Sequence, residues 1–382
     1  MEQLEIDGQA GEGGGQIIRT ALALSVLLQK PVRIFNVRAK RVKPGLQPQH
    51  LAGVQTISKL CKGTVFGASL HSTTLDFFPA PPHSAHVDVH IGTAGSAGLL
   101  IQQVAPLGLL VPLQLRVFGG TDVAFSPPAS FLSNVWLPLL KSMGCRFELE
   151  ILSRGYFPAG GGRLVFKSKP AKWPLKPLVL DQAGELVSIR LSAHGRSLPA
   201  SLYREALLHA QKALSRRFPD IDISAETLAG TGDAALRGFG FDIEGEFESG
   251  AKCFGHALSE KNQAVESVVA AALRRFEQSA SDRAPVELHV ADQVLLFAAL
   301  AQGTTRFRVA SASDHVKTNA KVIGAFLPDC KIDIESAEGS KETRITVQGI
   351  GYKGISMESQ VGKASETMVP ASKNGPKGGS FR

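Results

Sequence analysis

The chain has 382 residues, of which 43% are hydrophobic and 20% charged, so it can bury a sizeable core in more than one domain. Its formal net charge of +8 favours a polyanionic partner such as nucleic acid or a nucleotide, although a mildly basic enzyme has the same balance. The four cysteines are far apart and form no C-x-x-C pair, which predicts free thiols in a reducing compartment rather than a zinc site or disulfides.

No segment predicts a membrane span or a secretory leader. The longest apolar run, residues 99–115, is interrupted by glutamine, proline and glycine. The first five residues include Glu2 and Glu5 and lack the basic and apolar regions of a signal peptide. We therefore expect a soluble intracellular protein that is not secreted and has no membrane partner.

Strands with a two-residue period and helices with a 3.6-residue period alternate along the chain, and their order repeats. The first unit has a strand, a helix, a strand and a helix at residues 4–6, 16–28, 31–35 and 47–61. The second unit has the same succession at residues 87–91, 99–109, 113–117 and 129–143. The third has it at residues 286–290, 291–301, 305–309 and 320–327. Similar unit lengths indicate internal repetition.

The stretch between the second and third units predicts a separate compact insert. It has strands at residues 187–191 and 241–247 and helices at residues 200–218 and 263–278. The expected fold class is therefore α/β (α+β), with a large domain of three repeated ββ/αα-type units and a smaller inserted α+β domain. We expect the large domain to comprise residues 1–183 and 282–350, the insert residues 184–281, and the polar remainder, residues 351–382, a disordered basic tail.

The most informative motif is SDHVKTN at residues 313–319, between a strand and a helix of the third unit. It places His315 at a helix N-terminus, where unpaired N–H groups and the helix dipole favour an anion such as phosphate. A neutral histidine can also form a covalent phosphoryl intermediate, which makes His315 a candidate nucleophile. A polar residue near the helix cap is the alternative interpretation.

A glycine-rich loop, GQAGEGGG at residues 8–15, precedes the first helix, which carries Arg19. Glycines allow backbone N–H groups to approach phosphate oxygens closely, although a tight strand-to-helix turn explains them equally well. The loop is neither a P-loop nor a Rossmann fingerprint, because the required lysine and glycine spacing are missing. Glu12 within the loop suits a metal ligand or an acid beside a substrate.

A basic loop follows the second strand, with Arg38, Lys40, Arg41 and Lys43 ahead of a helix. Such a cluster is a plausible anion clamp, and a solvated basic loop is the alternative. His50 in the following helix corresponds to His315 in the third unit, so packing of the repeats would bring the two helices to one cleft. Further glycine loops at residues 92–98, 119–122 and 154–162 suggest several loops that converge on an extended anionic ligand.

Taken in order, these motifs resemble those of the RNA 3′-terminal phosphate cyclases over roughly residues 4–350. The resemblance rests on GEGGGQIIR at 11–19, RAxR at 38–41, PGL at 44–46, QH at 49–50, TAGS at 93–96, GGT at 119–121, GYFPxGGG at 155–162, ADQ at 291–293 and HxxTN at 315–319. It implies three repeated units with a small inserted domain, in agreement with the units that the periodicity predicts.

The resemblance implies a ligase that consumes ATP and cyclises an RNA 3′-phosphate end. His315 would attack the α-phosphate of ATP to give an enzyme-histidyl-AMP, and the AMP would pass to the RNA as RNA(3′)pp(5′)A. The adjacent 2′-OH would then expel AMP and leave a 2′,3′-cyclic phosphate. The implied partners are ATP as substrate, Mg²⁺ or Mn²⁺, and RNA with a 3′-phosphate end.

The resemblance also implies a role for individual residues. Glu12 would be the metal ligand, and His315 the catalytic residue. The expected phosphate or RNA contacts are Arg19, Arg38, Arg41, Gln49 and His50. The expected ATP-binding residues are Gln102, Pro128, His289, Asp292 and His315, with Pro128 and His289 as walls against the adenine.

The chain departs from the family at Lys40, where glycine is usual, and this change would reshape the basic loop. A cyclase-like branch that acts in ribosomal RNA processing without catalysis is the main alternative, but it lacks the nucleophilic histidine. A phosphoenolpyruvate-using transferase also has repeated units and leaves His315 unexplained. We expect a nuclear location, in the nucleoplasm, for a eukaryotic source and a cytoplasmic one otherwise.

Overall fold

The computed structural model describes residues 3–231, 236–336 and 342–355. The first unit consists, in chain order, of β1 (Leu4–Asp7), α1 (Gly15–Leu28), β2 (Val32–Phe35), α2 (Pro48–Cys61), β3 (Thr64–Phe66) and β4 (Leu75–Phe78). Its four-stranded sheet has the order β1-β2-β4-β3, in which β1 and β2 are parallel and the other pairs antiparallel. The parallel pair is joined through α1, as a crossover connection requires.

The second unit repeats this topology. Its elements are β5 (Ala85–His90), α3 (Ala97–Val104) with a 3₁₀ extension (Ala105–Leu109), β6 (Leu113–Gly119), α4 (Ala129–Phe131), a π-helical turn (Leu132–Trp136), α5 (Leu137–Ser142), β7 (Arg146–Ser153) and β8 (Gly162–Lys169). The sheet order β5-β6-β8-β7 matches that of the first unit, and β5 and β6 are parallel. The helix predicted at residues 129–143 is thus a succession of three helical segments.

The chain then forms a short strand, β9 (Val179–Leu180), before it enters the insert. The insert contains β10 (Leu186–Arg196), α6 (Ala200–Arg217), β11 (Asp222–Gly230), β12 (Gly238–Phe247), β13 (Lys252–Leu258) and α7 (Val265–Asp282). Its strands form a sheet of their own in the order β11-β10-β12-β13. A separate hydrophobic cluster lies between this sheet and the two helices, as expected for a unit with its own core.

The third unit is completed by α8 (Leu288–Leu300), β14 (Gln302–Val309), α9 (Asp314–Phe326), β15 (Lys331–Ser336) and β16 (Thr343–Ile350). The strand predicted at residues 286–290 is wrong, because Glu287 caps α8 and its side chain accepts a hydrogen bond from the His289 N–H. The true first strand of this unit is β9, which pairs in parallel with β14 and gives the order β9-β14-β16-β15. The insert therefore splits the third unit after its first strand and does not precede it.

Helix α9 begins six residues earlier than the predicted start at residue 320. Ser313 is its N-cap, and the Ser313 hydroxyl accepts a hydrogen bond from the Val316 N–H at 3.3 Å. The buried side of the first turns carries Thr318 and Asn319, which make polar contacts with neighbouring segments. These turns therefore lack the apolar periodicity from which the helix start was predicted. His315 is consequently the second residue of the helix itself.

The helices of the three units pack on one another and the sheets lie outside them. Helix α1 is central, since it contacts α2, α3 and α9, and most of its residues are buried. One hydrophobic cluster joins residues of all three units. This arrangement brings the N-terminal ends of α1 and α9 together, and the site described below lies where they meet.

Order extends past the boundary predicted for the tail. The Tyr352 N–H donates to the Leu300 carbonyl at 2.9 Å, its hydroxyl donates to the Leu27 carbonyl, and its ring packs edge-on against Trp173. The prediction of disorder is therefore wrong for residues 351–355, and residues 356–382 lie outside the described part of the chain. Within the described ranges, no helix is long and apolar enough to cross a membrane.

Candidate active site at the junction of the first and third units

The glycine-rich loop before α1 packs directly against the start of α9. The Glu12 N–H donates to the Thr318 hydroxyl at 3.2 Å. Gly11 has a φ of +57°, and a Cβ at this position would lie only 2.1 Å from the same hydroxyl oxygen. Glycine is therefore required here both for backbone conformation and for close approach. The contact places Glu12 beside the first turn of α9.

Asn319 joins three helices beneath His315. Its Oδ1 accepts a hydrogen bond from the Thr20 hydroxyl on α1 at 2.6 Å, and its Nδ2 donates to the Asp292 carbonyl on α8 at 2.5 Å. Asn319 is 1% exposed, so both bonds are shielded from water. The threonine and asparagine of the HxxTN motif thus fix the helix that carries the histidine.

His315 lies at the surface of this junction with its side chain about half exposed (51%), and its Nδ1 is 3.5 Å from Oε1 of Glu12. Glu12 is largely buried, and its other carboxylate oxygen pairs with Arg41. Burial lowers the pKa of His315, and the positive charges of Arg19 and Arg41 act in the same direction, against the opposing effect of Asp292. The imidazole is therefore neutral near pH 7, the state in which it is nucleophilic.

The buried Asp292 and the half-buried Arg19 lie beside the same junction. Burial raises the pKa of Asp292, although the protonated form of His315 and the charge of Arg19 counteract this effect. Burial lowers the pKa of Arg19 to about 10, and Asp292 partly offsets the decrease, so Arg19 remains a cation near pH 7. The Arg19 Nη2 donates to Gln16 Oε1 at 2.5 Å, whereas its buried Nε has no hydrogen-bond partner among the described residues. Arg19 thus retains a donor for an anion.

The basic loop contacts the glycine loop through two of its side chains. Arg41 reaches the Glu12 carboxylate, and Lys40 lies against Gly13, where a Cβ would be 3.3 Å from the Lys40 Cβ. Arg38 stabilises the loop internally, because its Nη1 donates to the carbonyls of Lys43 at 2.6 Å and Gly45 at 3.0 Å. Lys40 in place of glycine therefore covers part of the glycine loop.

Gln49 and His50 lie at the start of α2, where they connect units. The Gln49 Oε1 accepts a hydrogen bond from the Ser96 N–H of the second unit at 3.0 Å. His50 is 7% exposed, and its Nδ1 accepts from the Gln47 N–H at 3.2 Å. Burial lowers the pKa of His50 to about 3, and Arg38 and Arg19 add to the decrease. Near pH 7 this residue is neutral and can offer a phosphate a hydrogen bond but no charge.

The remaining predicted ATP-binding residues are more dispersed. His289 is exposed at the start of α8, and its hydrogen bond with Glu287 at 2.9 Å raises its pKa. Gln102 is buried on α3, and neither atom of its amide has a partner among the described residues. Pro128 is the buried N-cap of α4. Among described contacts, no hydrogen bond joins Gln102 or Pro128 to His315, so an adenine pocket that spans them stays a prediction.

The glycine loops of the second unit contact one another, and their convergence on an anionic ligand stays a prediction. The Gly120 N–H donates to the Gly95 carbonyl at 2.9 Å, and the Thr121 N–H donates to the Gly155 carbonyl at 2.9 Å. The bond between Gln49 and Ser96 links this group of loops to the start of α2. These bonds therefore connect the loops of the second unit with the start of α2.

Two residues that the sequence left without a role are part of the same network. Gln16 accepts hydrogen bonds from Arg19 and, at 3.1 Å, from the Gln293 amide, and its own amide donates to Thr20 at 3.2 Å. Both glutamines belong to motifs that were noticed, but only the helix packing reveals that they meet. The Gln293 amide also donates to the Asp292 carboxylate, so the two glutamines link Arg19 to Asp292.

A repeated α/β scaffold that holds a neutral histidine at a helix N-terminus, beside a buried carboxylate and a half-buried arginine, defines a class of site suited to phosphoryl transfer. Comparison with known proteins agrees with this class. The family model described as RNA 3′-terminal phosphate cyclase matches residues 10–334.

Curated relatives match over nearly their full length. An RNA 3′-terminal phosphate cyclase from Pyrobaculum aerophilum is 37% identical over 351 residues, 91% of this chain and 99% of the relative. One from Methanopyrus kandleri is 38% identical over 349 residues, 90% and 98% of the two chains. One from Nitrosospira multiformis is 36% identical over 326 residues, 85% and 91%. The chain belongs to the RNA 3′-terminal phosphate cyclase family and is an enzyme. The location of the chain, nuclear or cytoplasmic, stays a prediction.

Proposed function

We propose that the chain uses ATP to convert the 3′-terminal phosphate of RNA to a 2′,3′-cyclic phosphate, with His315 as the nucleophile. The observation that carries this proposal is the state of His315, which is neutral, half exposed and at the N-terminus of α9. A structural cap residue needs neither the nearby Glu12 carboxylate nor a lowered pKa. A nucleophile that attacks a phosphate needs both a free lone pair and nearby groups that stabilise charge.

In the first step a ring nitrogen of His315 attacks the α-phosphorus of ATP, an N–P bond forms, and pyrophosphate leaves. The Nδ1 atom faces the Glu12 carboxylate at 3.5 Å. The negative charge of that carboxylate favours a proton on Nδ1, which would leave the lone pair on Nε2 free to attack. Arg19, which remains charged and has an unused donor, is suited to stabilise the negative charge that develops on the transferring phosphate.

Glu12 fits the metal that the family implies. Its Oε1 is buried without a hydrogen-bond partner among the described residues. A Cβ at Gly14 would lie 2.2 Å from this oxygen, so glycine leaves the space beside it free. Mg²⁺ and Mn²⁺ prefer carboxylate oxygens and often combine one protein carboxylate with substrate phosphates. When bound, the ion would neutralise charge on the phosphates of ATP.

In the later steps the AMP passes from His315 to the RNA 3′-phosphate, and the adjacent 2′-OH then displaces AMP as the ring closes. Adenylation supplies the leaving group that ring closure needs. Arg38 and Arg41 are the expected contacts for the RNA phosphate. Arg41 is about 43% exposed and would exchange its pairing with Glu12 for the incoming phosphate.

The test uses RNA that carries a labelled 3′-phosphate, with ATP and Mg²⁺ or Mn²⁺. We expect the label to become resistant to phosphatase, since a cyclic phosphate is a diester, and one ATP to be converted to AMP and pyrophosphate per end. His315→Ala is the inactive control. If the label stays sensitive to phosphatase although the RNA binds, the chain belongs with the non-catalytic factors.

A further inference from the structure

The sheet of the insert carries a cluster of metal-binding side chains that no part of the proposed reaction uses. Asp242 on β12 and His256 on β13 are direct cross-strand partners, and His194 on β10 is two register positions away on the same face, opposite Gly240. A Cβ at Gly240 would lie 2.2 Å from the His194 ring, so glycine leaves the space that the imidazole fills. Sheet register therefore brings three residues that are distant in sequence onto one face.

The distances within this cluster suit a single ion. The His194 Nε2 is 3.2 Å from the Asp242 Oδ1, and the His256 Nδ1 is 2.5 Å from the same oxygen. One ligand atom from each residue lies within 4.8 Å of the others. Two ligands of a tetrahedral zinc ion are about 3.3 Å apart, so the His194 contact already fits and the His256 contact needs to open by less than an ångström.

The cluster is shielded from water and its polar atoms are incompletely paired. The side chains of His194, Asp242 and His256 are 0%, 4% and 15% exposed. Within the described part of the chain, the His194 Nε2, which faces Asp242 at 3.2 Å, is buried without a well-formed hydrogen bond. Buried polar atoms of this kind are rarely left unpaired unless something else occupies the site.

The surroundings supply the contacts that usually hold metal ligands in place. The Tyr156 hydroxyl is hydrogen-bonded to the His194 Nδ1 at 2.9 Å, and the Ser130 hydroxyl donates to the second oxygen of Asp242. Both residues belong to the second repeated unit. A metal-binding histidine typically has its other ring nitrogen bonded in this way, which directs Nε2 at the ion.

The charges nearby also favour a cation. Arg154 forms a buried ion pair with Asp122 at 2.7 Å, so these two cancel. Asp242 is then left as a buried negative charge between two imidazoles, and it requires a positive partner. That partner is either a proton on an imidazole or a metal ion.

We infer that His194, Asp242 and His256 form a binding site for a divalent metal of the zinc type, separate from Glu12, at the contact between the insert and the second unit. Two imidazoles and one carboxylate are a ligand set that selects Zn²⁺, Co²⁺ or Ni²⁺ over Mg²⁺. Binding exchanges the proton on His256 Nδ1 for the ion and moves it to Nε2 or to solvent. The ion links the three strands β10, β12 and β13, at the point where Ser130 and Tyr156 of the second unit contact the insert.

The experiment is a Co²⁺ titration of the full chain after treatment with a chelator. Co²⁺ in such a site absorbs visible light, and Zn²⁺ displaces it. The titration is made in a Glu12→Gln, His315→Ala background, so that the proposed active-site metal contributes nothing. His256→Gln and Asp242→Asn remove ligands, and His209→Gln on the exposed face of α6 is the matched control.

We expect one equivalent of Co²⁺, bound more than about tenfold more weakly after His256→Gln and unchanged after His209→Gln. Tyr156→Phe, which keeps the three ligands, should also weaken binding about tenfold. Zn²⁺ should raise the thermal unfolding midpoint of the parent chain but not of the His256→Gln variant. Absence of any Co²⁺ site in this background, or binding that survives both ligand substitutions, would overturn the inference and leave a hydrogen-bonded cluster.

Discussion

His50 and His315 occupy corresponding places in two repeats, yet their surroundings make them different groups. Both lie in the first turn of the second helix of their unit, His50 in α2 and His315 in α9. His50 is buried, caps its own helix and has a pKa of about 3. His315 is half exposed and faces the Glu12 carboxylate. The second unit has Ser130 in this region, and it contacts the insert.

The difference in burial between the two histidines shows that repeated units can share a backbone scaffold while individual side chains take different roles. One histidine serves to hold the junction, and the other is available to a substrate. Both histidines are neutral near pH 7, so they do not differ in charge. They differ in how accessible the imidazole is to a substrate. The predictions below test this division of roles, starting with the largest expected effect.

His315→Ala should reduce transfer of AMP from ATP to the protein by more than about 10³-fold, because no other accessible neutral imidazole of the described residues lies beside Glu12. The fold should be unchanged, since the side chain is half exposed. His50→Ala should retain labelling. The measurement is the amount of AMP bound after incubation with α-labelled ATP. Loss of label in the His50 variant alone would reverse the roles of the two histidines.

Glu12→Gln should slow AMP attachment by about 10²-fold, because an amide keeps the shape of the carboxylate but cannot supply a negative ligand to a divalent cation. A higher concentration of Mn²⁺ should restore part of the rate. The control is Glu205→Gln on the exposed side of α6. A rate that falls without any change in metal dependence would make Glu12 a partner of Arg41 and His315 only.

The buried state of His50 predicts a loss of stability in acid. In the unfolded chain its pKa is near 6.5, and in the folded chain about 3, so between these values the unfolded state binds the extra proton. Stability should therefore fall as the pH decreases, with about 2–3 kcal/mol lost at pH 4.5 through this residue alone. Urea unfolding at pH 7 and 4.5 should show a smaller difference for His50→Gln than for His209→Gln.

Arg41→Ala and Arg38→Ala should weaken binding of RNA with a 3′-phosphate about tenfold and change binding of RNA with a 3′-OH by less than about twofold. Competition binding with the two RNAs at one salt concentration measures the ratio. An equal loss for both ends would make these arginines general backbone contacts. Arg38 also bonds to loop carbonyls, so its substitution should lower stability as well.

Removal of residues 357–382 should change the rate of cyclisation by less than about twofold. The last anchor in the described chain is Tyr352, whose contacts with α1 and Trp173 stay intact in this truncation. The rate is measured with the labelled RNA described above. An inactive truncation would show that the tail contributes to the site.

Much of this architecture could be read from the sequence because it depends on local patterns. Strand and helix periods predicted the repeats, and the motif at residues 313–319 predicted His315 at a helix N-terminus, which the structure confirms. The strand predicted at 286–290 failed because a short alternating run also fits one face of a helix once Glu287 caps it. Strand β9 is too short to show a period, and it was missed for that reason.

The chemistry of the site was predictable only in part. Resemblance pointed to Glu12 and His315, but the burial of His50 and the network through Gln16 and Asn319 depend on helix packing that no spacing reveals. The His194 cluster was missed entirely, since its members meet through sheet register and not through a sequence motif.

The most direct test of the central claim is to identify the residue that carries AMP. The chain is incubated with ATP and Mg²⁺ or Mn²⁺, digested at alkaline pH, and its peptides are analysed by mass spectrometry. We predict AMP on His315, in a bond that is labile in acid, stable in alkali and lost when RNA with a 3′-phosphate is added. AMP on another residue, or none under either metal, would contradict the account.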